Sequence, residues 1–318
     1  IYVMTLAFIS IISGISLMWI SAEKLEKYSV LSARKFGISP FLIGSTVIAF
    51  GTSAPEMLTT FFVSLEDQGA MVIGNVIGSN VANLSLVFGS MLFVMSFKKQ
   101  NISQPSSIRK NLLILLASSF LVWGVIVIDP FALFSSVILL TALLAVIFFW
   151  YRDNQEVPEI EELTESNNNF IKLLLSLLTL VFAAWLITSG AKLILKNFNL
   201  GQLFIGYTVL AIGTSLPEIA ASISLALKSR YEAVAGTLIG SNIFNGLCVL
   251  AIPGLFQSDQ MSFGWEYSEW SSLLRILFAI TTIFCLYIFL LSKEKRKASL
   301  LLSIIFLSIY FISLIYAY

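Results

Sequence analysis

Ten apolar stretches follow one another along the chain, near 1–22, 41–65, 69–96, 111–128, 131–151, 170–191, 202–227, 232–256, 270–291 and 298–318. Each is close to the roughly 20 residues that an α-helix needs to cross the hydrocarbon core of a bilayer. Transmembrane β-strands would give shorter segments of alternating hydrophobicity, so the pattern specifies a helical bundle. Composition agrees, because 58% of the 318 residues are apolar and only 12% are charged, with a mean hydropathy of +0.91. A soluble domain needs more charge than that. The expected fold class is all-α integral membrane, with the lipid bilayer as its surroundings and no nucleic-acid partner. The first stretch lacks a charged lead-in and a small-residue cleavage site, and it reads as a span and not as a cleaved signal.

The net charge of +1 conceals an asymmetry. All but three of the nineteen Lys and Arg residues fall in or beside the loops after stretches 1, 3, 5, 7 and 9, and the exceptions are Lys192, Lys196 and Arg275. Cytoplasmic loops carry the excess of basic residues. The odd-numbered loops are therefore expected in the cytoplasm and both termini outside the cell, in a multi-pass protein of the plasma membrane.

The chain has no His, which removes imidazole from any proton relay or transition-metal site. Its two cysteines, Cys248 and Cys285, lie within apolar stretches, where they read as packing residues and not as a disulfide or thiolate site. A bound ion must therefore be held by oxygen.

An internal repeat sharpens the reading. A shift of 162 residues aligns 41–90 with 203–252 without a gap, and two blocks match most closely. The first contains Gly51-Thr52-Ser53-Ala54-Pro55-Glu56 and Gly213-Thr214-Ser215-Leu216-Pro217-Glu218. The second contains Gly78-Ser79-Asn80-Val81-Ala82-Asn83 and Gly240-Ser241-Asn242-Ile243-Phe244-Asn245. Each copy sits in a unit of five spans, so the second unit must enter the membrane from the opposite face. The expected organisation is ten transmembrane helices as two inverted five-helix repeats, over 1–151 and 170–318, joined by an acidic cytoplasmic linker at 152–169. In such proteins, interrupted helices in matching positions point to a site near the bilayer midplane, where the halves meet.

Of the eighteen acidic residues, only Glu56 and Glu218 lie deep in apolar stretches. A charge there costs about 2.5 to 3.5 kcal/mol on insertion scales. A matched pair is hard to explain by packing, although two protonated glutamates acting as interhelical glue would be the plain structural reading. Thr52 and Ser53 precede Glu56 by four and three residues, as Thr214 and Ser215 precede Glu218. That spacing places hydroxyls and carboxylate on one helical face. Pro55 and Pro217 are expected to break their helices, freeing the carbonyls of Gly51 and Gly213. Irregular backbone at this depth is tolerated where it lines a cavity or is buried in protein.

Ser79 and Asn83 stand four apart, as do Ser241 and Asn245, so stretches 3 and 8 each add a hydroxyl and an amide. Gly74 with Gly78 and Gly236 with Gly240 give faces that let these helices approach closely. Carboxylate, carbonyl, hydroxyl and amide oxygens suit a hard cation, and calcium accepts six to eight of them in flexible geometry. Two glutamates balance one divalent ion.

These blocks resemble the alpha repeats of the cation/calcium exchanger superfamily, and the Gly-Thr-Ser-x-Pro-Glu form is similar to its sodium/calcium exchanger branch, of compact prokaryotic type. The resemblance implies an antiporter, not an enzyme, that exchanges sodium for calcium by alternating access, with no cofactor and the monomer as functional unit. Carried over by motif position, calcium would be held by Thr52, Glu56, Thr214 and Glu218. Sodium would use Ala49, Thr52, Ser53, Glu56 and Ser79 in the first half and Ala211, Thr214, Ser215, Glu218 and Ser241 in the second. Asn83 and Asn245 would line the centre. Asn245 stands where the archaeal exchanger pattern and the potassium-dependent branch have Asp, which argues against potassium co-transport. The proton/calcium branch carries Asn-Ala where this motif has Thr-Ser, so sodium is preferred over protons as the counter-ion. A proton/calcium exchanger, or an exchanger of another divalent cation, is the alternative within the same fold. A passive channel is disfavoured because an inverted repeat within one chain suits alternating access.

Overall fold

The computed structural model describes residues 2–35, 49–97, 106–153, 169–198, 201–227, 231–256, 267–290 and 296–317. The start of the first repeat block, 41–48, and most of the linker, 154–168, lie outside these residues. Among the described residues there is no strand. In chain order the helices are α1 (Tyr2–Lys35), α2 (Ala49–Ser64), α3 (Gly69–Ala82), α4 (Phe88–Phe97), α5 (Ser106–Ile128), α6 (Leu133–Asp153), α7 (Asn169–Phe198), α8 (Gln202–Ile205), α9 (Ala211–Leu227), α10 (Tyr231–Phe244), α11 (Ile252–Phe256), α12 (Tyr267–Leu290) and α13 (Arg296–Ala317). A π-helical turn links α3 to α4 at Asn83–Val87, and a second links α8 to α9 at Gly206–Leu210. A third follows α10 at Asn245–Val249.

Seven segments among the described residues are long and apolar enough to cross a membrane: Val3–Ser21, Gly69–Val94, Lys110–Ile128, Leu133–Arg152, Leu174–Ile194, Val234–Phe256 and Leu300–Ala317. Gln202–Leu216 and Ser271–Tyr287 are shorter apolar helices. The outer helices turn large apolar side chains away from the protein, among them Ile12, Leu144, Phe148, Leu178, Phe311 and Ile315. Apolar side chains facing outward on so many helices call for lipid around them.

Two of the crossing segments are different. Gly69–Val94 and Val234–Phe256 are 83% buried inside the protein, whereas the other five are 22–47% buried. They form the centre. Residues 69–82 and 231–244 are helical in both halves and pass into π turns at Asn83 and Asn245, so these boundaries repeat at the 162-residue spacing of the sequence. The motif helices pack across this centre, α2 against α10 and α9 against α3. A T-shaped contact between Phe50 and Phe244, with ring centroids 6.0 Å apart, joins the first of these pairs.

The second crossing depends on missing side chains. A Cβ on Gly74 would stand 2.3 Å from the Leu203 carbonyl oxygen, and one on Gly206 would stand 2.2 Å from that of Met71. The small-residue face expected on stretch 3 is thus a backbone-to-backbone contact with α8 and its π turn.

Neither motif proline ends its helix, contrary to the sequence expectation. Pro55 lies inside α2 and Pro217 inside α9. Each proline removes one N–H, but the helix continues through both positions. In the second half the departure from α geometry lies upstream, in the Gly206–Leu210 turn. Between α2 and α3 the chain reverses through Leu65–Gln68, with Asp67 at a positive φ of 55°, a conformation that Asp tolerates better than most residues.

Candidate cation site

The residues singled out by the repeat converge. Glu56 and Glu218 are both 0% exposed. Ala49, Thr52, Ser53, Ser79, Asn83, Ala211, Thr214, Ser215, Ser241 and Asn245 are all buried as well. Four helices supply them: α2 and α9 carry the carboxylates and the Thr-Ser pairs, while α3 and α10 carry the serines and end at the asparagines.

Contacts run between the halves. The Thr52 and Ser241 hydroxyls share a hydrogen bond of 3.0 Å. The Glu56 carboxylate faces the Thr214 and Ser215 hydroxyls of the other half, yet neither of its oxygens has a partner at hydrogen-bond distance. Thr52 also donates to the Ala49 carbonyl at 3.2 Å, and Thr214 to the Leu210 and Ala211 carbonyls at 3.0 and 3.4 Å. The motif threonines therefore keep their hydroxyls close to their own helix, with Thr52 reaching across as well.

Many polar atoms here have no protein partner. The hydroxyls of Ser53, Ser79 and Ser215 and both amide atoms of Asn83 and Asn245 are buried without a hydrogen bond. Leaving a buried polar group unsatisfied costs about 1 to 3 kcal/mol, more for a charged group. Such clustering calls for a ligand that bonds to oxygen. A hard cation fits the donor set, and the chain offers it carboxylate, hydroxyl and amide oxygen together. Among the described residues, no group of three or more His, Cys, Asp or Glu side chains is placed to hold a metal. The formal charge brought to the site is that of two glutamates.

The π turns begin at the two central asparagines. A π turn shifts the hydrogen-bond ladder by one residue, and such turns are frequent at functional sites.

Several further polar residues, not singled out by the motifs, lie in the structure at or one helical turn from this centre. Asn80 donates to the Asn242 carbonyl at 3.4 Å, tying α3 to α10, and Asn242 donates to the Leu238 carbonyl at 2.8 Å. Asn75 donates to the Thr60 hydroxyl at 3.1 Å. The repeat counterparts of that last pair, Ser222 and Thr237, are buried and have no hydrogen-bond partner. Extending the polar faces by four residues from Glu56, Ser79, Glu218 and Ser241 reaches Thr60, Asn75, Ser222 and Thr237.

Comparison with known proteins decides the family. Residues 6–152 and 168–318 match the family described as sodium/calcium exchanger protein. The chain belongs to the sodium/calcium exchanger family. It is a membrane transporter of sodium and calcium and not an enzyme. An uncharacterized membrane protein of Methanocaldococcus jannaschii is 31% identical over 307 residues, covering 95% of this chain and 94% of that protein. The sodium/calcium exchanger MaX1 of Methanosarcina acetivorans is 22% identical over 353 residues, covering 89% and 99%. Among solved structures, the sodium-calcium exchanger NCX_Mj soaked with 100 mM sodium and 10 mM strontium superposes with a TM-score of 0.70 at 30% identity, covering 98% of both chains.

Proposed function

We propose that this exchanger extrudes calcium against the inward flow of sodium through one buried, oxygen-lined site shared between two halves of opposite orientation. The observation that carries the reading is the pair of fully buried glutamates, Glu56 and Glu218, on motif helices that each pack against the other half. Calcium is held by Glu56, Glu218 and the Thr52 and Thr214 carbonyls. Sodium occupies the flanking sets, Ala49, Thr52, Ser53, Glu56 and Ser79 on one side and Ala211, Thr214, Ser215, Glu218 and Ser241 on the other, with Asn83 and Asn245 between them.

Mutual exclusion gives the coupling. Both ions need the same carboxylates, so calcium and a full sodium complement cannot be bound together, and each must leave before the other is carried back. Ten spans in two inverted five-helix halves, 1–151 and 170–318, supply the alternating access. The excess of basic residues in alternate loops supports both termini outside the plasma membrane and the 152–169 linker in the cytoplasm. The monomer holds the whole site.

Purified protein in sodium-loaded liposomes is expected to take up calcium-45 when sodium is diluted outside. Uptake that ignores the sodium gradient and follows a proton gradient would replace this reading with proton/calcium exchange.

A further inference from the structure

The polar faces that build the site do not stop at it. One helical turn beyond Glu56 on α2 is Thr60, and one turn before Ser79 on α3 is Asn75. Both are 0% exposed, and both lie on the side of the site nearer the Leu65–Gln68 turn that joins the two helices. Asn75 donates through its amide nitrogen to Thr60 at 3.1 Å, while its amide oxygen has no partner. The neighbouring Thr59 hydroxyl and, at the turn itself, the Gln68 amide oxygen are likewise buried and unpartnered.

The second half has polar residues at the equivalent positions. Ser222 stands one turn beyond Glu218 on α9, and Thr237 one turn before Ser241 on α10. Both are 0% exposed and neither hydroxyl has a partner. Interhelical glue accounts for the Asn75–Thr60 bond but not for the unpartnered Asn75 oxygen or the unpartnered Ser222 and Thr237 hydroxyls. Here two equivalent pairs of polar residues are kept in the protein centre with oxygen atoms unspent.

We propose that Thr60 with Asn75, and Ser222 with Thr237, are transit sites for a partly hydrated cation, one on each side of the central site. The proposal rests on the transport reading and on the opposite orientation of the halves, which sets the first pair on the outer route and the second on the inner route. Neutral hydroxyl and amide oxygens replace some of an ion's water without the hold of a carboxylate. Conduction requires a site favourable enough to enter and weak enough to leave. The outer pair is joined by its hydrogen bond and the inner pair is not, so an ion on the outer route must part Asn75 from Thr60.

The test uses the full chain in sodium-loaded membrane vesicles, right-side-out and everted, with calcium-45 supplied in the bath. Thr60→Val and Asn75→Leu are expected to raise the KM for bath calcium by about three- to tenfold in right-side-out vesicles, the effect of losing one or two ordinary hydrogen bonds. In everted vesicles the same variants keep the wild-type KM. Ser222→Ala and Thr237→Val reverse the pattern. Equilibrium calcium binding to the purified protein is unchanged in all four, and Thr60→Ser and Asn75→Thr, which keep an oxygen in place, restore the wild-type KM. Three results overturn the proposal: an unchanged KM on both sides, an equal rise on both sides with loss of equilibrium binding, or an equal rise in the oxygen-keeping variants. Wild-type vesicles without sodium-driven uptake would instead refute the transport reading itself.

Discussion

The Thr52 hydroxyl lies 3.0 Å from the Ser241 hydroxyl, in a bond that joins the motif helix of one half to the centre helix of the other. The site is thereby a property of the two halves together. Whatever moves one half relative to the other alters the distance between the groups that, as proposed, hold a single ion.

That bond predicts coupling between the two positions. Thr52→Val and Ser241→Ala should each weaken sodium activation of calcium uptake by about 0.5 to 1.5 kcal/mol, the usual worth of a buried hydrogen bond. The double variant should lose less than the sum, because the residues touch. Sodium titrations of uptake in the four proteins give the coupling energy.

Glu56→Gln and Glu218→Gln should each abolish calcium transport. Both side chains are fully buried, and in the proposed site removing either charge would leave the divalent ion with one carboxylate. Calcium-45 uptake measures this, and normal uptake in either variant would remove that residue from the site.

Asn245→Asp tests the charge of the site. A protonated Asp is neutral and has nearly the shape of Asn, so this variant should resemble the wild type at low pH. As pH rises and the side chain ionises, a third carboxylate would hold calcium more tightly and slow its release. Uptake by the variant should therefore fall with rising pH relative to the wild type, and a constant ratio across pH 5 to 8 would contradict the placement of Asn245 beside the ion.

Gly206→Ala should destabilise the protein, since its Cβ would stand 2.2 Å from the Met71 carbonyl oxygen. Overpacking of this kind costs about 1 to 3 kcal/mol. By contrast, the partly exposed ion pair between Lys192 and Glu66, at 2.7 Å, should be worth about 0 to 1 kcal/mol. Thermal unfolding in detergent should separate Gly206→Ala from Glu66→Gln clearly.

Much of this arrangement is legible in the sequence. Glu56 and Glu218 stood out because a carboxylate in an apolar stretch has few explanations, and the exact recurrence of Thr, Ser, Pro and Glu tied the two together. The serines and asparagines of α3 and α10 followed from their spacing and from the alignment of the blocks. Pro55 and Pro217 misled, because a proline signals a lost hydrogen bond but not whether the surrounding helix closes over it. The π turns at Asn83 and Asn245 were not legible, since they depend on how α3 and α10 are held by their neighbours and not on a residue type. Thr60, Asn75, Ser222 and Thr237 were overlooked for a simpler reason. An isolated hydroxyl or amide in a membrane helix usually bonds back to its own chain, and these four are set apart only by full burial, with an unpartnered oxygen on Asn75, Ser222 and Thr237.

The central claim is that one shared site couples the two ions. The most direct measurement is calcium-45 flux in proteoliposomes under separate sodium, potassium and proton gradients of equal size. Flux driven by sodium alone, saturating with calcium and absent in Glu56→Gln, is the predicted result. Flux that follows the proton or potassium gradient, or that proceeds at the same rate with no counter-ion gradient at all, would contradict it.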